Sequence, residues 1–279
     1  MSSAKESEIQ AVCAAYFSAT GTTRKVVCQI AQSIASALGI PCQEADFTLP
    51  SGRTQPLRFT CQTLVVAGTP VYAGRVPNIL LPFLNSMQGN GAICIPVVVY
   101  GNRHYDDALL ELWDITQTAG FSPIAAAAFV GEHAFSRTLG QGRPDAEDYK
   151  SMRQFASMVV HKLHSNDTDS DAPQIPGTPR PYRGYYTPKD RTGQRIDIRK
   201  VTPLTGSACT QCGLCAQLCP MGSISTEDAS QYTGICIKCA ACFKQCPVGA
   251  KHYLDEGYLY HTQELEQMYR RRAPAELFV

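Results

Sequence analysis

Eight of the 13 cysteines in this chain fall between Cys209 and Cys246. Cys209, Cys212, Cys215 and Cys219 follow the spacing C-x2-C-x2-C-x3-C-P, closed by Pro220. Cys236, Cys239, Cys242 and Cys246 repeat it, closed by Pro247, with every member 27 positions after its counterpart. The tight loop of three cysteines turns three thiolates onto three irons of one cubane. The fourth lies too far along to close the same loop and crosses to the other cluster. The spacing therefore assigns Cys209, Cys212, Cys215 and Cys246 to one [4Fe–4S] cluster, and Cys236, Cys239, Cys242 and Cys219 to a second. Small residues between the ligands (Gly213, Ala240, Ala241) let backbone amides approach the sulfides. Zinc is the competing reading, but its sites pair two C-x2-C units at longer separation.

A second constellation is Ser18-Ala19-Thr20-Gly21-Thr22-Thr23, a hydroxyl-rich loop between a strand and a helix. A helix N-terminus offers unpaired amides and a positive dipole, a ready anion site. No lysine follows the glycine as in an NTP-hydrolysing loop, and G-x-G-x-x-G is missing. Hydroxyls without a cation suit a monophosphate, although Ser and Thr also serve as ordinary helix caps. Gly68-Thr69-Pro70-Val71-Tyr72-Ala73-Gly74 and Tyr100-Gly101-Asn102-Arg103-His104-Tyr105 end two later strands. Each sets an aromatic beside glycine and polar groups, a combination suited to a flavin ring. His133, after the fifth strand, is a candidate proton donor to reduced flavin.

The elements that position these residues alternate strand and helix. Strands are expected at 9–17, weakly at 42–47, at 62–68, 93–100 and 121–130, with the paired part of the fourth starting after Pro96. Helices are expected at 22–38, 105–119 and 146–164, with apolar residues in line, and at 77–84, where Pro77 suits the first turn. Continuous apolar strands between helices imply an α/β fold, a doubly wound five-stranded parallel sheet covered on both faces. Strand ends and phosphate loop then share one sheet edge, at the switch point where ligands bind. Residues 1–164 form this domain. Residues 165–200, opening with an Asp/Ser/Pro-rich stretch and then basic, read as a linker. Residues 201–256 form the cysteine-rich domain, and 257–279 a helical tail with its helix at 262–272.

Residues 9–164 resemble flavodoxins. The resemblance implies that Ser18, Thr20, Gly21, Thr22 and Thr23 grip an FMN phosphate. It implies that Tyr72 and Tyr105 flank the isoalloxazine, and that the segment of Pro70, Val71 and Gly74, with Gly101 and Asn102, bonds the ring and ribityl chain. Residues 203–253 resemble bacterial ferredoxins with two [4Fe–4S] clusters, a small α+β fold. The whole chain resembles the flavodoxin–ferredoxin fusion proteins of anaerobic bacteria. That implies an electron carrier converting between one-electron clusters and FMN, served by a ferredoxin-type donor or a reductase. The alternative is a flavin-dependent reductase acting on NAD(P)H or a small molecule, with the clusters as relay. The sequence does not choose between flavin and clusters meeting within one chain or across a homodimer.

Composition narrows the remainder. A net charge of +1 gives no prior for nucleic acid or an anionic membrane. No apolar run approaches the roughly 18 residues of a membrane helix. The polar first ten residues lack a signal-peptide core, so a cytoplasmic location is the expectation. Cys13, Cys28, Cys42, Cys61 and Cys94 read as small hydrophobes.

Overall fold

The computed structural model describes residues 9–165 and 172–279. The polar residues 1–8 and the middle of the Asp/Ser/Pro-rich stretch, 166–171, lie outside them. Five segments pair in parallel: β1 (Ala11–Tyr16), β2 (Cys42–Asp46), β3 (Thr63–Pro70), β4 (Ile93–Tyr100) and a last strand split into β5 (Ser122–Pro123) and β6 (Ala126–Val130). Their order is β2-β1-β3-β4-β6, with β5 also against β4. This is the flavodoxin-like doubly wound order, with its switch point between β1 and β3.

Both faces are covered, which is why the strand sequences are apolar throughout. On one face α1 (Thr22–Leu38) and α4 (Ala146–His164) bury Val26, Ile30, Ile34, Met152 and Phe155 against the sheet. On the other lie α2 (Leu81–Ser86), entered by a 3-10 turn at Asn78–Leu80, and α3 (Ala108–Thr118), which buries Leu109 and Leu112. Asp145 caps α4: its side chain accepts the amides of Glu147 and Asp148, and Asp148 accepts the amide of Asp145.

Pro96 sits inside a ladder that starts at Ile93, not after the proline. The interruption falls on the neighbour instead. β5 pairs Ile93 and Cys94, β6 resumes opposite Val97, and the break stands opposite Ile95 and Pro96, where Pro96 has no N–H to give. The helix expected from 105 begins at Ala108.

The cysteine-rich segment is closed by an antiparallel pair, β7 (Leu204–Thr205) with β8 (Lys251–His252), and holds two one-turn helices, α5 (Leu214–Gln217) and α6 (Ala241–Lys244). The C-terminal helix α7 is Glu256–Met268, earlier than expected. The chain then returns to the large sheet as β9 (Glu276–Phe278), antiparallel to β6, so residues 257–279 are not wholly helical. Asn102 secures this return, its Nδ2 donating to the carbonyls of Tyr269 (2.6 Å) and Arg271 (2.7 Å). No helix among the described residues is long and apolar enough to cross a membrane.

Candidate functional site

A cavity of about 690 Å³ opens at the C-terminal ends of the parallel strands. It is of the size that small-molecule and cofactor sites occupy. Thr20, Thr22 and Thr23 line one end, at the start of α1. Gly21, at φ 84°, is the left-handed residue that turns the chain into the helix. Ser18 stands behind this loop: its Oγ accepts the Arg24 amide (2.9 Å) and its amide donates to Thr48 Oγ1 (2.8 Å). It shapes the loop rather than lining the cavity.

Of the strand-end residues expected at the site, Pro70, Val71, Tyr72 and Gly101 line the cavity. Gly101 is there for closeness, since a Cβ on it would stand 2.4 Å from His133 Cδ2. Gly74, Asn102 and Tyr105 do not line it. Gly74 (φ 78°) turns against the Asp106 side chain, and Asn102 holds the C-terminal segment. Tyr105 is buried in the core, where its hydroxyl donates to Glu276 Oε2 of β9 (2.6 Å). Tyr100 and Tyr186 line the cavity instead.

Tyr186 belongs to the segment read as a linker, and that segment is a strap. Asp107, fully buried, accepts the amides of Thr178 and Arg183 (both 2.9 Å) and the Arg183 guanidinium (2.7 Å). Arg75 stacks over Tyr182 and Tyr185 at 4.6 and 5.1 Å, and Tyr186 donates its amide to the Ala73 carbonyl (2.8 Å). Tyr185, Tyr186, Ile196 and Ile198 thereby form a cavity wall. The signal for it was three tyrosines and an alternating Ile-x-Ile in an otherwise polar stretch.

The remaining wall comes from the cysteine repeat. Ile235, Cys236, Ile237, Lys238 and Cys239 line the same cavity as the threonine loop. Behind them a smaller cavity is lined by Cys219, Cys236, Cys239 and Cys242, the set that crossing ligation groups together. The repeat extends to the backbone. Gln211, Gly213 and Gly222 take φ of 55°, 73° and 59°, and their counterparts Lys238, Ala240 and Gly249 take 55°, 61° and 62°. Left-handed residues in such loops turn successive amides inward as an anion-binding nest, a device of iron–sulfur sites. Three of the six are not glycine, so the conformation is held against its own steric cost.

Amides already point at sulfur: Gln211 to Cys209 (3.4 Å), Ser223 to Cys219 (3.3 Å) and Ala250 to Cys246 (3.2 Å). Burial opposes ionisation of Cys246, but the amides from Val248 to Lys251 outweigh it and hold its thiol below the usual range. Burial pushes the Cys239 and Cys242 thiols up to about 12. Those two need a cation or metal to become thiolates. Tyr253, which lines the smaller cavity, stacks on Tyr258 with ring centroids 4.0 Å apart. Donor set and nest both fit a thiolate-bound cluster. Among the described residues, no three His, Cys, Asp or Glu side chains approach closely enough to hold a single ion.

The cysteine module is bound to the sheet domain by polar contacts around the cavity. Gln245 Nε2 donates to the Ala19 carbonyl of the threonine loop (3.1 Å), and Arg53 donates to the Pro220 carbonyl (2.5 Å). Lys244 pairs with Glu132 and the Ser136 carbonyl, and Arg137 donates to the Phe243 carbonyl (2.9 Å). His133 lies in the cavity wall; burial, then His261, Lys244 and Arg103, lower its pKa to about 3. Its Nδ1 accepts the Phe135 amide (3.1 Å), which puts the proton of the neutral ring on Nε2.

No family model matches the sequence, and no curated protein matches it. Among solved structures, it is similar to oxidised flavodoxin 1 from Bacillus cereus, at 17% identity over 55% of this chain and 98% of that one, TM-score 0.42. A flavodoxin from Streptococcus pneumonia TIGR4 shows 19% identity over 55% and 99%, TM-score 0.38. Oxidised flavodoxin 2 from Bacillus cereus shows 14% over 55% and 99%, TM-score 0.40.

Proposed function

We propose that this chain is an electron-transfer protein that holds FMN in the large cavity and two [4Fe–4S] clusters on its eight motif cysteines. The observation that supports it most is the shared wall: the threonine loop and the Cys236–Cys239 loop border one cavity within one chain. FMN takes one or two electrons and each cluster one, so the pair converts between the two currencies.

The residues divide the work. Thr20, Thr22, Thr23 and the opening amides of α1 bind the phosphate, aided by the helix dipole. Tyr72, Tyr100 and Tyr186 would supply aromatic surface to a bound ring, and the strap walls the cavity. His133, neutral near pH 7, donates a hydrogen bond from Nε2 instead of acting as an acid. That sets aside the candidate proton-donor role raised by the sequence. Crossed ligation places Cys219 with the second motif, nearest the flavin cavity, and Cys246 with the first. Because both walls belong to one chain, electron passage needs no second copy.

Anaerobic visible spectroscopy of the reconstituted protein tests this. Iron, acid-labile sulfide and FMN are measured first, and the protein is then mixed separately with NADH, NADPH and reduced ferredoxin. The expected result is two clusters and one FMN per chain, bleached by reduced ferredoxin and not by the nucleotides. Rapid reduction by a nucleotide would make the chain a self-sufficient reductase. Zinc without sulfide would overturn the cluster assignment.

A further inference from the structure

The internal repeat provides its own control, because equivalent positions can be compared within one chain. Gln211 and Lys238 stand 27 residues apart at the same place in the two loops, with the same φ of 55°. One is neutral and the other cationic. The Gln211 side chain accepts the Ala229 amide (3.1 Å), whereas Lys238 Nζ donates to the carbonyls of Arg199 (2.8 Å) and Cys236 (3.3 Å). No ion pair among the described residues involves Lys238, and it lines the flavin cavity between Cys236 and Cys239.

We propose that Lys238 holds the second cluster at a higher reduction potential than the first, and so directs electrons from the first cluster to the one beside the flavin. The inference rests on the cluster assignment above. A fixed positive charge stabilises the extra electron of a reduced cluster, and it does so more strongly where water is excluded. One electron leaves the first cluster and one enters the second, so the step balances with no other reactant.

The neighbouring charges leave this asymmetry standing. Lys244, the lysine counterpart of Gln217, is neutralised by Glu132. Lys251 lies between the motifs, facing Cys215 of the first and Cys236 and Cys242 of the second, and biases both. Asp197, the carboxylate that acts on Lys238, is already bound by Arg199 (2.8 Å). The segment 201–226, which carries the first motif, has no charged residue at all.

The test is an EPR-monitored redox titration of the reconstituted full chain and two variants. Lys238→Gln copies the first loop into the second. It is expected to lower the higher of the two cluster potentials by about 59 mV, a tenfold loss of the electron's preference for that site. Gln211→Lys does the reverse and should raise the lower potential, so the two waves assign themselves. Clusters that assemble with unshifted potentials in both variants overturn the proposal. So does an equal shift of both waves by either one. Failure of the unmutated chain to bind iron and sulfide sinks the cluster assignment instead, and this inference with it.

Discussion

His133 shows what a single residue owes to its surroundings. Its sequence context, a lone histidine in a loop, more often marks a structural side chain than a proton donor. The structure decides by burial: His133 is lowered to about 3 by burial and by His261, and His261 to about 4 by burial and by Arg103, so both stay neutral near pH 7. In the unfolded chain both titrate near 6.5. As pH falls through that value the unfolded chain takes up protons that the folded one refuses. Stability is therefore full above about pH 6.5 and declines toward pH 4, by up to about 1.4 kcal/mol per pH unit for each histidine. The depressed carboxylates act lower, since Asp107, held near 2 by Arg183, loses its contribution only as pH falls below the ordinary range of about 3.9. The urea midpoint should drop between pH 7 and pH 5, and His133→Gln should remove about half the slope. A midpoint that is flat over this range would mean that solvent reaches both rings.

At the scale of elements, the sequence carried most of the sheet domain and little of the strap. Helices at 22–38 and 146–164 match to the residue, because their apolar periodicity is also their burial. The cysteine spacing was legible for a different reason, since ligand geometry is written in short-range separations. Tyr105 misled because an aromatic in a strand-end loop reads alike whether it faces a ligand or the core. The strap at 177–200 was illegible as structure. It has no regular periodicity, and what orders it is a set of long-range partners, above all the buried carboxylate of Asp107. Asp107→Asn keeps the shape but removes the charge that holds Arg183 and weakens its hold on two amides. The loss should be on the order of 2 kcal/mol, confined to the strap. Proteolysis within residues 177–200 should accelerate at least tenfold, with the sheet domain left intact. Unchanged cleavage would show that the Arg75–tyrosine stack secures the strap without Asp107.

At the scale of the molecule, the cysteine module is not a bead on a flexible tether. The strap enters it from the sheet domain, and the chain leaves it through α7 to re-enter the same sheet as β9. A module anchored at both ends samples fewer orientations than one anchored once, which raises the effective concentration of its cluster loop at the flavin cavity. The second anchor is short: Ala126, Ala127 and Ala128 pair with Phe278, Leu277 and Glu276. Its reinforcement comes from Asn102, from the Tyr105–Glu276 bond and from Arg143, which donates to the Ala273 carbonyl (2.8 Å) while paired with Asp148. Proline at the middle of β9 cannot donate to the ladder, so Leu277→Pro attacks the anchor without touching the cavity. If the return strand keeps the module docked, hydrogen exchange in α7 should quicken by an order of magnitude or more in this variant, while α1 and α4 keep their protection. Equal acceleration in all three helices would mean that the two parts unfold as one unit, and that β9 belongs to the core of the sheet domain instead of acting as a clasp upon it.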